Sequence, residues 1–311
     1  MSPRRHPKGR TSRRVALALT ATLASVLGAA GCSSGTSVTT VHSGSTTTSS
    51  TSTTSTPETF VITGRPLRRR RGGRARVARS RRGRSSLLRV AVPGITTVER
   101  EALAAYWRRL GEMEHASIAA FQQLRRQLAH LGAPPSLLQG CTAAATQEAD
   151  HARRCFELAS RYAGTTIESG TVRLPRLGQP TLATVAAESL RDGVLNEGYA
   201  AWIAGAQAER ATDPTVVETL RVIEQDEAEH AALSWQVAAW CLETGDDDVR
   251  IALMNTAAAF VPLAAPSGRG AEHFGHGMGD VDPLGAGYRA VEAAVRDCVT
   301  DVLALSSTTT H

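Results

Sequence analysis

Residues 148–151 read Glu148-Ala149-Asp150-His151, and residues 227–230 read Glu227-Ala228-Glu229-His230. In a helix, three residues come close to one turn, so each Glu and its His share a face. A single Glu-x-x-His is a weak signal, because surface charge produces it often. Two of them on separate helices match a bundle in which two helices each give Glu-x-x-His and two each give a lone Glu, all pointing inward.

The flanking sequence supplies those helices. From Ile95 onward Ala, Leu, Glu, Arg and Gln dominate, with Gly and Pro confined to a few points that punctuate helices. One helix is predicted over Thr97–Leu131 and ends at Gly132. A second opens at Pro134-Pro135 and runs to Ala163-Gly164. A third covers Leu182–Ala211. Asp213-Pro214, an N-cap followed by Pro at the first helical position, starts a fourth that runs to Glu243. The first and third joints are short and the middle one is long, so the expected order is hairpin, crossover, hairpin.

Hairpin counting selects the lone carboxylates. Glu227 lies 13 residues after Pro214, and Glu197 lies 16 before Asp213. Glu188 lies 25 before Asp213. At a rise of about 1.5 Å per residue it falls roughly 13 Å beyond Glu197. Glu148 lies 13 residues after Pro135, and Glu114 lies 18 before Gly132. Glu112 is two positions away, on roughly the opposite face. Glu114 also sits in an apolar stripe with Trp107, Leu110, Ile118 and Phe121, and Glu197 in one with Leu190, Val194, Ala201 and Ala204. A Glu in such a stripe is costly unless paired or metal-bound. The expected ligands are therefore Glu114, Glu148, His151, Glu197, Glu227 and His230. Four carboxylates balance two divalent ions, and carboxylate with imidazole suits iron or manganese.

The stretches Glu114-His115-Ala116-Ser117-Ile118-Ala119-Ala120-Phe121, Glu148-Ala149-Asp150-His151-Ala152-Arg153, Asn196-Glu197 and Glu227-Ala228-Glu229-His230-Ala231 resemble the ferritin-like superfamily, and more narrowly bacterial ferritin-like-domain proteins. The resemblance covers roughly residues 95–245. It implies an all-α, ferritin-like four-helix bundle in which Glu148 and Glu227 bridge two metals. Glu114 with His151, and Glu197 with His230, are then terminal ligands. Members of this superfamily oxidise iron(II), reduce peroxide or activate dioxygen. A non-catalytic iron-binding protein and a metal-free structural bundle stand as the alternatives.

The rest of the chain reads as address and tether. Residues 1–94 hold 18 Lys+Arg against one acid, Glu58, whereas residues 95–311 hold 17 Arg against 28 Asp+Glu. The overall charge of +6 therefore describes neither half and does not mark the whole chain as a nucleic-acid binder. A basic start, the apolar run 15–30 and a small-residue site form a signal peptide over residues 1–31. Leu27-Gly28-Ala29-Ala30-Gly31-Cys32 resembles a bacterial lipobox, with Ala29 where Leu is usual. That resemblance implies lipidation of Cys32 and a domain tethered to the envelope membrane outside the cytoplasm. Cleavage after Ala30 is the alternative. Ser12-Arg13-Arg14-Val15-Ala16-Leu17 also resembles a twin-arginine export signal.

Residues 32–94 are expected to be a disordered tether, rich in Ser and Thr and then in Arg. Within it, residues 65–89 read as a solvated charge run, with anionic lipid or envelope polysaccharide as the partner to test and no nucleic acid. The bundle domain is placed at 95–245 and a helical C-terminal extension at 246–311. A homodimer is compatible with this reading. No C-x-x-C pair occurs among Cys32, Cys141, Cys155, Cys241 and Cys298, which excludes zinc ribbons and thioredoxin-like chemistry. Cys141, Cys155 and Cys241 are expected in the core, with a Cys241–Cys298 disulfide allowed. His115, Glu224, Asp226 and Glu229 are expected on helix surfaces. His273 and His276, in a Gly-rich loop, form a second and weaker metal candidate.

Overall fold

The computed structural model describes residues 65–68, 75–76, 80–82, 94–172, 174, 178–260, 273–279, 281–282 and 285–307. The expected signal peptide, Cys32 and the Ser/Thr-rich stretch lie outside the described residues. The chain is all-α. Helix α1 spans Thr97–His130 and α2 spans Pro135–Ala163. Next come α3 (Leu182–Glu188), a π-helical segment (Ser189–Leu195) and α4 (Asn196–Arg210), which together make one helical run. Helix α5 spans Pro214–Thr244, α6 Asp247–Ala258 and α7 Ala286–Ser307. Among the described residues no helix is long and apolar enough to cross a membrane.

Local chemistry sets these boundaries. Thr96 opens α1 with a capping box: its hydroxyl accepts from Glu99 N, and the Glu99 carboxylate accepts from Thr96 N. Gly132 and Gly164, at φ +76° and +66°, turn the chain out of α1 and α2 in the left-handed conformation that glycine tolerates best. Asp213 caps α5 by accepting from Thr215 N and Val216 N, and it pairs with Arg161 at 2.7 Å. The third run departs from the expected continuous α-helix. Its ladder widens to the π form over Ser189–Leu195, one turn before Glu197.

Four long runs therefore meet, and their inward faces form two apolar clusters. One contains Phe121, Cys141, Leu190, Val194, Tyr199 and Leu233. The other contains Trp107, Ala152, Cys155, Ala204 and Ile223. On every run the predicted ligands fall between residues of the two clusters. Helix α7 buries Val291, Val295, Val299 and Leu303 in the first cluster, packed on these runs.

Three expectations change. Residues 65–89 are not solvated throughout. Leu67 is buried against Ala116, Ala119 and Ala120 of α1, and strand β1 (Leu67–Arg68) pairs with β2 (Ala75–Arg76). Strand β3 (Ser80–Arg82) pairs with β4 (Ile167–Ser169) in the long middle connection. The four described cysteines are all free, so Cys241 and Cys298 do not form a disulfide. His273 and His276 do not converge on a shared acidic group. His276 Nδ1 lies 3.0 Å from the Tyr162 hydroxyl, its carbonyl accepts from Trp107 Nε1, and His273 lies 3.7 Å from Glu99.

Asp213 combines a helix cap with an inter-helix ion pair. Asp213→Ala is expected to cost about 1–2 kcal/mol of unfolding free energy, read by denaturant titration, with the helical circular dichroism unchanged.

Candidate metal centre

All six predicted ligands meet in one layer. Glu114 comes from α1, Glu148 and His151 from α2, Glu197 from α4, and Glu227 and His230 from α5. None of the six is more than 1% exposed. Their donor atoms fall into two groups, Glu114/Glu148/His151/Glu227 and Glu148/Glu197/His230, each with its atoms within 4.8 Å of one another. Glu148 belongs to both groups and Glu227 only to the first. His151 Nδ1 lies 3.9, 3.8 and 3.8 Å from oxygens of Glu114, Glu148 and Glu227, and His230 Nδ1 lies 3.5 Å from Glu148. Two donors each about 2.1 Å from one ion lie roughly 3.0–3.8 Å apart at ordinary coordination angles. The cluster is already near that spacing.

The inward atoms lack any other partner. Both oxygens of Glu114, Glu148, Glu197 and Glu227, and Nδ1 of His151 and His230, are buried without a hydrogen bond. A buried polar atom left unpaired is expensive, and a carboxylate more so. One cation contacted by several of these atoms would satisfy them together. The residues present thus fit a metal ion, and the absence of thiolate from either group matches iron or manganese better than a soft metal.

Both imidazoles are aimed from behind. His151 Nε2 lies 2.9 Å from Asp226 Oδ2, and His230 Nε2 lies 3.0 Å from Gln147 Oε1. Gln147 Nε2 in turn donates to Asp226 Oδ1 and to Glu229 Oε2. That leaves Gln147 Oε1 as an acceptor, so His230 must donate from Nε2. Asp226 imposes the same tautomer on His151. Both Nδ1 lone pairs then face the carboxylates, as metal ligation requires. Glu229 is exposed, as expected, whereas Asp226 is mostly buried against the expectation of a surface residue, and Gln147 carries no sequence expectation. The signal was present all the same: each supporting residue directly precedes the Glu of its own motif, and each serves the His of the other motif.

The residues rejected by counting lie elsewhere. Glu188 accepts from Gln127 Nε2, and Glu112 accepts from the amide and hydroxyl of Ser80. His115 Nε2 lies 2.9 Å from the Gly170 carbonyl oxygen. Cys141, Cys155 and Cys241 are buried, as expected.

Electrostatics follow from burial. Burial pushes the Glu148 carboxyl up to about 8, and the Glu114 charge adds to the rise. Glu227 and Glu197 are held well above the ordinary carboxylate range, by burial first and then by the other carboxylates. Burial opposes charge on His151, yet Asp226, Glu114 and Glu148 outweigh it and raise that imidazole. Burial and the neighbouring His151 lower His230 to about 3.

No family model, curated protein or solved structure matches the chain.

The pH dependence of the metal-free fold has a definite sign. A carboxyl raised in the folded state contributes stability that is lost as pH rises from its unfolded value through its folded one, here from 4.5 to about 8 for Glu148. The raised His151 works in the same direction above 6.5. The lowered His230 acts only below 6.5. Between pH 6.5 and 8 the metal-free protein is therefore expected to lose thermal stability, and Glu148→Gln to flatten that slope. Saturating manganese(II) is expected to abolish the loss, because cation binding favours the ionised carboxylates. Tm against pH with and without metal checks this. A separate check is Asp226→Ala, expected to weaken metal affinity by about 10–100-fold while leaving the number of sites unchanged.

Proposed function

We propose that this chain is a ferritin-like four-helix-bundle protein that binds two iron or manganese ions and acts as an oxidoreductase toward dioxygen, peroxide or iron(II). One observation carries the reading: six buried residues, whose inward atoms make no hydrogen bond, fall into two groups that share Glu148. A bundle kept only as a scaffold would be more stable with apolar residues at these positions.

Each residue has a role in this proposal. Glu148 would be shared by the two ions, with Glu114, His151 and Glu227 holding one and Glu197 and His230 the other. The ions, when bound, supply the electron-transfer chemistry. Asp226 and Gln147 hold the imidazoles in the ligating tautomer. The apolar clusters on either side keep bulk water from the layer, which strengthens every electrostatic contact within it. Asp226, with its side chain 15% exposed, connects His151 to the outer face through hydrogen bonds.

The remainder of the proposal concerns location. The chain is exported and its Cys32 lipidated, so that the bundle is held at the envelope membrane outside the cytoplasm. Cys32→Ser is expected to move the protein from the membrane fraction to the soluble one.

Elemental analysis of the full chain, purified in detergent, is expected to find about two iron or manganese ions per chain. Glu148→Ala is expected to lose both. Glu188→Ala, which alters the carboxylate bonded to Gln127, should retain both. Equal loss in the two variants would contradict the ligand assignment. Dioxygen uptake on addition of iron(II) separates an oxidoreductase from a passive binder, which takes up iron without consuming dioxygen.

A further inference from the structure

A charged residue from outside the four helical runs reaches the core next to the metal layer. Arg65 is 5% exposed. Its Nη1 donates to Ser234 Oγ at 3.2 Å, and its carbonyl accepts from Ser117 Oγ at 3.1 Å. The guanidinium lies 5.9 Å from the centroid of the Phe121 ring, which itself packs on the His230 ring at 4.8 Å.

These neighbours share a level. Ser234 is four residues after His230, Gly193 four before Glu197, and Ser117 three after Glu114. Each is one helical turn from a ligand, about 5.4 Å along the axis. Room for the guanidinium comes from Gly193, in the π-helical segment. A Cβ there would collide with Ser234 and lie 2.8 Å from Arg65 Nη1. The following Leu67 anchors the segment on three alanines of α1, so the position is held by packing as well as by hydrogen bonds.

The charge does not act evenly on the six ligands. Ser234, which accepts from the guanidinium, is one turn from His230, and Phe121 stands between the guanidinium and the His230 ring. Gly193, against which Nη1 packs, is one turn from Glu197, so the cation lies at the Glu197/His230 end of the layer. The two groups are unequal in donors as well: four residues in one, three in the other.

We propose that Arg65 is a positioning residue of the metal centre, a fixed cation that makes the Glu148/Glu197/His230 group the weaker of two metal subsites. The inference rests on the two-metal reading. A permanent positive charge beside one subsite repels a divalent ion there more strongly than at the farther subsite. The centre then fills in order, and the second position is the one that exchanges.

The test is stepwise binding of iron(II), under anaerobic conditions, to the full chain and to Arg65→Gln, Arg65→Met and Arg65→Lys. The wild type is expected to bind in two resolved steps. The two neutral variants should tighten the second step by about tenfold or more and leave the first nearly unchanged, while Arg65→Lys should keep the wild-type separation. A role in packing alone would instead weaken both steps in the neutral variants. That result, or an unchanged second step, overturns the proposal and leaves the two-metal reading intact. Two equal steps in the wild type overturn it without any variant. A wild type that binds no iron contradicts the two-metal reading itself.

Discussion

Four carboxylates share a layer of the core that water does not reach, and their mutual repulsion is the constraint on which the rest depends. Glu114, Glu148, Glu197 and Glu227 are fully buried, with every oxygen unpaired. Protons on some of the carboxyls, or cations placed between them, relieve that repulsion. The helices that carry them must therefore be long, correctly levelled and firmly packed above and below the layer. Two apolar clusters provide that packing, and caps at Thr96 and Asp213 with left-handed glycines at 132 and 164 provide the levelling.

The helices and the six clustered side chains were legible because the information is periodic and local. Apolar spacing, Gly and Pro punctuation and the repeated Glu-x-x-His fix which side chains share a face. Short turns then fix which residues share a level, and this separated Glu197 from Glu188 and Glu114 from Glu112. What stayed hidden depends on contacts between distant elements. Asp226 looks like one more acid on a charged face until α2 places His151 2.9 Å away. The widening of the third run over Ser189–Leu195 has no local breaker to announce it, since Gly193 alone is tolerated in an α-helix. Arg65 looked like one of many arginines in a charge run, and only the fold shows that it leaves that run to enter the core.

These hidden features are connected. Gly193 leaves space that Ser234 and Arg65 fill, and the π-helical segment carrying it ends directly before α4 and Glu197. The irregular part of the third run thus serves the end of the centre that has fewer donors. The other end is built from regular helix, with Glu114, Glu148, His151 and Glu227 all on uninterrupted α1, α2 and α5. One end of the donor cluster is thus regular helix, and the other is adapted around Gly193 and Arg65.

The most direct test of a two-metal centre is to locate the ions. Anomalous scattering at the iron or manganese edge, from crystals of metal-loaded protein, should show two peaks within the buried layer, both in contact with Glu148. The first should also touch His151, and the second His230. A single peak, or peaks only at surface acids with the layer empty, would contradict the account.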